Sequence, residues 1–159
     1  MVRPTKMSAA EREFHRKAAT HCFNRAWDLM VKKDRSPTED SRLLHLAHAS
    51  LYHWGLVGTP TNLAVGEWQL SRIYADLGHP KLAVKFSRSC LATCKENGLA
   101  EIEHTANEAI ARACAVAKNY ERARKYLREA RRQLDGLKLD KEDRDIYLDQ
   151  LNETEALIR

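Results

Sequence analysis

The amino-acid sequence predicts an all-α fold of about seven helices, and three observations carry that prediction. Ala, Leu, Arg, Lys and Glu fill most of the chain and only 6 Gly and 4 Pro interrupt it, a composition that favours helix over strand. Helix-start chemistry recurs along the chain, and the segments beyond residue 60 repeat with a shift of about forty residues, in the range of two-helix repeat units. With 159 residues and 43% hydrophobic content, residues 1–159 are read as a single domain with a packed core.

The elements follow from capping chemistry, because the first amides of a helix lack intrahelical partners and a Ser, Thr or Asp before them can accept their hydrogen bonds. Ser8 stands three residues before Glu11, and Ser36 three before Glu39 with Pro37 between, both capping-box patterns. Thr59 in "TPTN" and Asp140 in "DKED" mark further starts. Stops fall near "KKDR", "WGLVG", "LGHP", "ENG" and Asp135-Gly136, where Gly or Pro makes continuing a helix costly. The helices so delimited span roughly 8–31, 37–54, 60–77, 80–96, 100–117, 119–134 and 140–157. Short loops between them imply antiparallel hairpins.

Several function classes are disfavoured by composition. The opening "MVRPTKMSAA" lacks the apolar core of a signal peptide, and no apolar run is long enough to cross a bilayer, so a soluble, cytoplasmic protein is expected. The 4 cysteines are expected as reduced thiols, since disulfide frameworks belong to small secreted domains. A formal net charge of +5 is modest, and no groove-reading or base-stacking module accompanies it. Neither nucleic acid nor a membrane is an expected partner.

The repeat decides the architecture. Pro80, Ala83, Ser87, Cys90 and Cys94 fall on Tyr120, Ala123, Leu127, Ala130 and Leu134, while Leu70, Ser71 and Tyr74 fall on Ile110, Ala111 and Cys114. Each set steps along one helical face. On these residues, "LSRIYADLGHPKLAVKFSRSCL" and "IARACAVAKNYERARKYLREAR" resemble the tetratricopeptide repeat, over about residues 60–135. The resemblance implies a short right-handed solenoid: repeat pairs at 60–96 and 100–135, a divergent first hairpin at 8–54, and a polar capping helix at 140–157. Lys118 stands where the family usually has Gly, and Glu67 and Asn107 where a large aromatic is common, which makes the chain a divergent member. The stretch "HWGLVGTPTNLAVGEW" is also similar to one found in uncharacterised bacterial proteins of this type, which implies no assigned chemistry.

Each candidate site competes with ordinary packing. Arg122, Arg124, Lys125, Arg128, Arg131 and Arg132 flank the inward stripe of the sixth helix. The acidic final helix, with Glu142, Asp143, Asp145, Asp149, Glu153 and Glu155, is a neighbour encoded to meet them. Cys90 and Cys94 are one turn apart but match Ala130 and Leu134, so both, like Cys22 and Cys114, read as core. His45, His48 and Tyr52 share a stripe beside His53. Spacing of three suits two ligands on one metal ion, with Glu11, Glu13, His15 or His21 as the third, yet no His-Glu-x-x-His motif occurs, and a half-exposed polar stripe is the reading preferred. No metal or other cofactor is expected, and no nucleophile elbow or phosphate loop is present.

One further constellation follows from the resemblance, because the family's first helices line the concave surface. That face carries Trp68, Arg72 and Asp76 in one repeat and Glu108, Arg112 and Ala115 in the next. Arg72 and Arg112, on helices roughly 8–10 Å apart, could clamp a carboxylate or phosphate. They could equally be structural ion pairs with Glu67 and Glu108. The expectation is therefore a non-catalytic module that binds a protein or peptide, an anionic one included, through Trp68, Arg72, Glu108 and Arg112. An enzyme using His45 and His48 with Glu67 and Trp54, or a structural homodimer whose groove is filled by its own partner chain, are the readings it competes with.

Overall fold

Ser8 begins the first helix as its spacing requires: its hydroxyl accepts the Glu11 amide at 3.2 Å while the Glu11 carboxylate accepts the Ser8 amide at 2.6 Å. In the computed structural model, which describes residues 7–158, this box opens helix α1 (Ala9–Met30). Residues 1–6, part of the opening stretch read above as lacking a leader core, lie outside the described residues. A second box, Ser36 with Glu39, opens α2 (Pro37–Val57). Then follow α3 (Pro60–Asp76), α4 (Pro80–Glu96), a 3-10 turn (Ala100–Ile102), α5 (Glu103–Val116), α6 (Tyr120–Asp135) and α7 (Lys141–Glu155). Asp140 caps α7 by accepting the Asp143 amide at 2.9 Å. Among the described residues there is no strand, and no helix is long and apolar enough to cross a membrane.

Two boundaries differ from the sequence expectation by three residues, and the others by no more than two. Helix α2 runs through Gly55 to Val57 and stops at Gly58, because one glycine costs a helix only about 1 kcal/mol whereas Pro60 starts a new helix two residues on. The fifth helix begins with a 3-10 turn and becomes α-helical only at Glu103.

The chain divides into two compact units, one up to Leu63 and one from Ala64 onward. In the first, α1 packs on α2 over Ala19, Ala26, Leu43 and Ala47, all buried. The buried Ser50 hydroxyl donates to the Ala19 carbonyl at 2.9 Å. Arg35 closes the α1–α2 connection: its guanidinium donates to the carbonyls of Leu29, Met30 and Lys32 and to Asp40 at 2.7 Å. A cation thus satisfies the open carbonyls at one helix's end while it meets an acid at the next helix's start.

The second unit displays the forty-residue repeat in its hydrogen bonds. The His79 amide donates to the Tyr74 carbonyl at 2.8 Å, and the Asn119 amide to the Cys114 carbonyl at 2.9 Å. These six-to-one bonds are Schellman terminations, which require a left-handed residue. Gly78 supplies it at φ +75° and, forty positions later, Lys118 at φ +60°. A second correspondence is polar. Glu67 of α3 accepts from Thr93 of α4 at 2.8 Å, and Asn107 of α5 donates to Gln133 of α6 at 2.7 Å, so at positions forty residues apart a polar pair bridges two successive helices. Ala83, Ala123 and Ala130 are fully buried, and their small size lets paired helices approach. Leu127, Ala130 and Leu134 of α6 meet Ala111 of α5 and Leu151 of α7 in one core cluster.

Candidate functional site

Helices α3, α5 and α7 each send charged side chains to one place. Arg72 of α3 and Arg112 of α5 both donate through Nη2 to a single oxygen, Oε2 of Glu153 on α7, Arg112 at 3.1 Å. Arg112 also reaches Glu108 Oε1 through Nε at 3.2 Å, one turn back on its own helix, and lies 3.5 Å from Asp76. The Thr154 hydroxyl donates to the same Glu108 oxygen. Trp68 lies beneath Arg72, whose guanidinium carbon is 6.0 Å from the ring centre.

Burial divides this cluster into fixed and movable parts. The side chains of Glu108 and Arg112 are 3% and 7% exposed and that of Arg72 is 14%, against 57% for Glu153. The α5 pair is thus held within the protein, while the α7 carboxylate stands largely in solvent. Two buried polar atoms, Arg72 Nη1 and Glu108 Oε2, have no hydrogen-bond partner. Desolvated groups of this kind are costly unless something pairs with them.

All four sequence-derived residues, Trp68, Arg72, Glu108 and Arg112, therefore come together, in surroundings that differ from the expected open face. Trp68 belongs to the core beside Ala64, Cys90, Cys94, Ala106 and Ala109. Arg112 does pair with Glu108, but Arg72 pairs with Glu153, because the Glu67 carboxylate accepts from Ser89 and Thr93 on α4. Glu153 and Thr154 were missed as members. The available signal was the spacing of Tyr147, Leu151, Thr154 and Ile158, which gives the seventh helix an inward face; Leu151 and Thr154 are indeed buried, and Tyr147 and Ile158 pack on the core.

The other candidates stand elsewhere. His45 and His48 are exposed on α2, and the His48 ring is held below its ordinary pKa by partial burial and by its neighbour His45. It is His15 that meets His53, Nδ1 to Nδ1, at 2.7 Å. Among the described residues no group of three or more His, Cys, Asp or Glu side chains could hold a metal ion. All four cysteines are free thiols, three of them buried; the Cys90 thiol is pushed well up by its hydrogen bond with Cys94 and by burial. On the basic α6, Arg131 meets Glu155 at 2.8 Å and Asn152 at 3.1 Å, and Arg132 meets Glu129 within α6. Arg124, Arg128 and Arg131 line a shallow groove of about 370 Å³ over Leu127 and Ile158. The acidic α7 thus meets the basic face only in part, since Glu153 is committed to the arginines of α3 and α5.

Comparison with protein-family models, curated proteins and solved structures found no match to this chain.

Proposed function

We propose that the chain is a non-catalytic binding module for a protein or peptide segment, working in the cytoplasm, and that Arg72 and Arg112 engage a carboxylate of that partner. In this reading the antiparallel helix pairs at 60–96 and 100–135 stack as a short tetratricopeptide-like solenoid with α7 along its inner side. The observation that carries it is the convergence of two guanidiniums, from two repeat-equivalent positions, on one carboxylate oxygen. Such charge-assisted bonds are about twice as strong as neutral ones, and the guanidinium's planar fork selects planar anions. A second support is chemical: the hydroxyl found in the cluster, that of Thr154 against Glu108, is fully buried and closed to a substrate, while the accessible groups are cations and a carboxylate, so the cluster suits recognition better than turnover.

The test is a binding screen of peptides bearing acidic residues or free carboxyl ends against the parent protein, Arg72→Ala and Arg72→Lys. Arg72 is chosen over Arg112 because its acidic partner is exposed, so the fold should tolerate its loss. Binders of the parent should lose about 1.5–3 kcal/mol with Arg72→Ala, the scale of a hydrogen bond to a charged group, and recover only part of it with Lys. A panel with no binder, or binders indifferent to Arg72, would remove the proposal.

A further inference from the structure

The cluster already contains a carboxylate, and that carboxylate is its most exposed member. We propose that Glu153 is a resident occupant of the clamp, and that the site's ligand is a single carboxylate from a partner, which binds by displacing the Glu153 side chain. This rests on the binding role proposed above and adds a built-in restraint and the discrimination of a carboxylate from phosphate.

Four observations support it. The two cations are fixed and largely buried while the Glu153 side chain is 57% exposed, so the anion is the part that can leave. The backbone of α7 can stay where it is, because Leu151 and Thr154 on either side of Glu153 are 1% and 0% exposed and anchor the helix; rotation about the Glu153 side-chain bonds is sufficient. Arg72 Nη1 is buried and unpartnered, and both arginines now share one oxygen of Glu153. An incoming carboxylate, free of the α7 tether, can offer its second oxygen to that Nη1 and complete the fork.

Charge selects the ligand. With Glu153 turned away, Arg112 still meets Glu108 and Asp76 while Arg72 loses its acidic partner, which leaves two positive and two negative groups in the cluster. One added negative charge restores the present state. A phosphate dianion would place a further negative charge beside the buried Glu108, which like-charge repulsion opposes. The site is therefore a carboxylate site that rejects phosphate. A tethered competitor acts at an effective concentration of about millimolar, so a lone carboxylate binds the parent protein more weakly than it binds a chain without Glu153, and further contacts by the partner make up the difference.

The experiment uses the full chain and its Glu153→Ala and Glu153→Gln variants. The probes are an acetyl-capped alanine hexapeptide with a free carboxyl end, the same peptide amidated, an amidated version with one central glutamate, and inorganic phosphate. Binding is read from the arginine Nε–H resonances of Arg72 and Arg112 during titration to millimolar probe. Removing Glu153 should tighten carboxylate binding roughly tenfold, leave the amidated alanine peptide inert, and leave phosphate the weaker ligand. Whether the free-end or the glutamate peptide binds better then identifies the source of the carboxylate. Agreement between the two variants excludes a local folding defect in either. Equal affinity in parent and both variants, with binding still lost in Arg72→Ala, would overturn the resident-occupant idea and leave the clamp standing. Phosphate binding above carboxylate would overturn the ligand class. No carboxylate binding by any form, variants included, would remove the clamp itself.

Discussion

Arg112→Met should be among the most destabilising single changes in the second unit, and the cluster geometry sets its size. The substitution keeps an unbranched apolar stem but removes the cation 3.2 Å from Glu108 Oε1. Glu108 would then be an ion 3% exposed with only the Thr154 hydroxyl on one oxygen and nothing on the other. Breaking a buried pair from one side costs about 3–5 kcal/mol because the remaining charge is stranded. At about 2–4 °C per kcal/mol for a chain of this length, the midpoint should fall by roughly 6–20 °C. Arg72→Met is the internal control: its carboxylate partner is 57% exposed, and exposed partners are worth about 0–1 kcal/mol. Adding Glu108→Gln to Arg112→Met should restore much of the loss, since a neutral amide is far cheaper to bury than a lone carboxylate. Thermal melts followed by helical circular dichroism, with urea titrations to convert midpoints to free energy, measure all four proteins. Arg112→Met indistinguishable from Arg72→Met, or a double variant less stable than the single one, would refute the reasoning.

Three further outcomes are expected. Lys118→Gly should stabilise the protein by about 0.5–1 kcal/mol, because a left-handed residue with a side chain costs about 1–2 kcal/mol, partly offset by glycine's greater entropy loss on folding; a lower melting point would contradict the Schellman assignment. Ala130→Phe should cost roughly 1–3 kcal/mol by overpacking at a fully buried position between α6 and its neighbours, and an unchanged urea midpoint would contradict that packing. Burial holds the His104 imidazole down to about 4, against 6.5 for the ordinary group. Between those values the unfolded chain binds a proton that the folded one does not, so stability is complete above about pH 6.5 and is lost as pH falls towards 4, by up to about 3 kcal/mol. His104→Gln should flatten that part of the stability-against-pH curve, and an identical slope in the variant would exclude His104 as its source.

The sequence by itself determined what is local or periodic. Ser8, Ser36 and Asp140 begin helices because a side-chain oxygen three residues from an open amide has few other places to go. The forty-residue shift also sets Lys118 on Gly78, and in the structure both turn left-handed to close the same six-to-one bond. Arg112 with Glu108 was legible for the same reason: four residues apart on a helix, they meet whatever surrounds them. The tertiary structure alone decided where the long polar side chains that cross between helices end. Glu67 was within plausible reach of Arg72, but it accepts from Ser89 and Thr93 on α4. Glu153, read as one acid among six on a polar cap, became the joint acceptor for two arginines. Apolar spacing reports which face of a helix is buried, and so it reveals the anchoring of α7 by Leu151. It is silent on which neighbour that face meets, and a charge at the edge of the buried stripe takes its partner from the helix placed beside it.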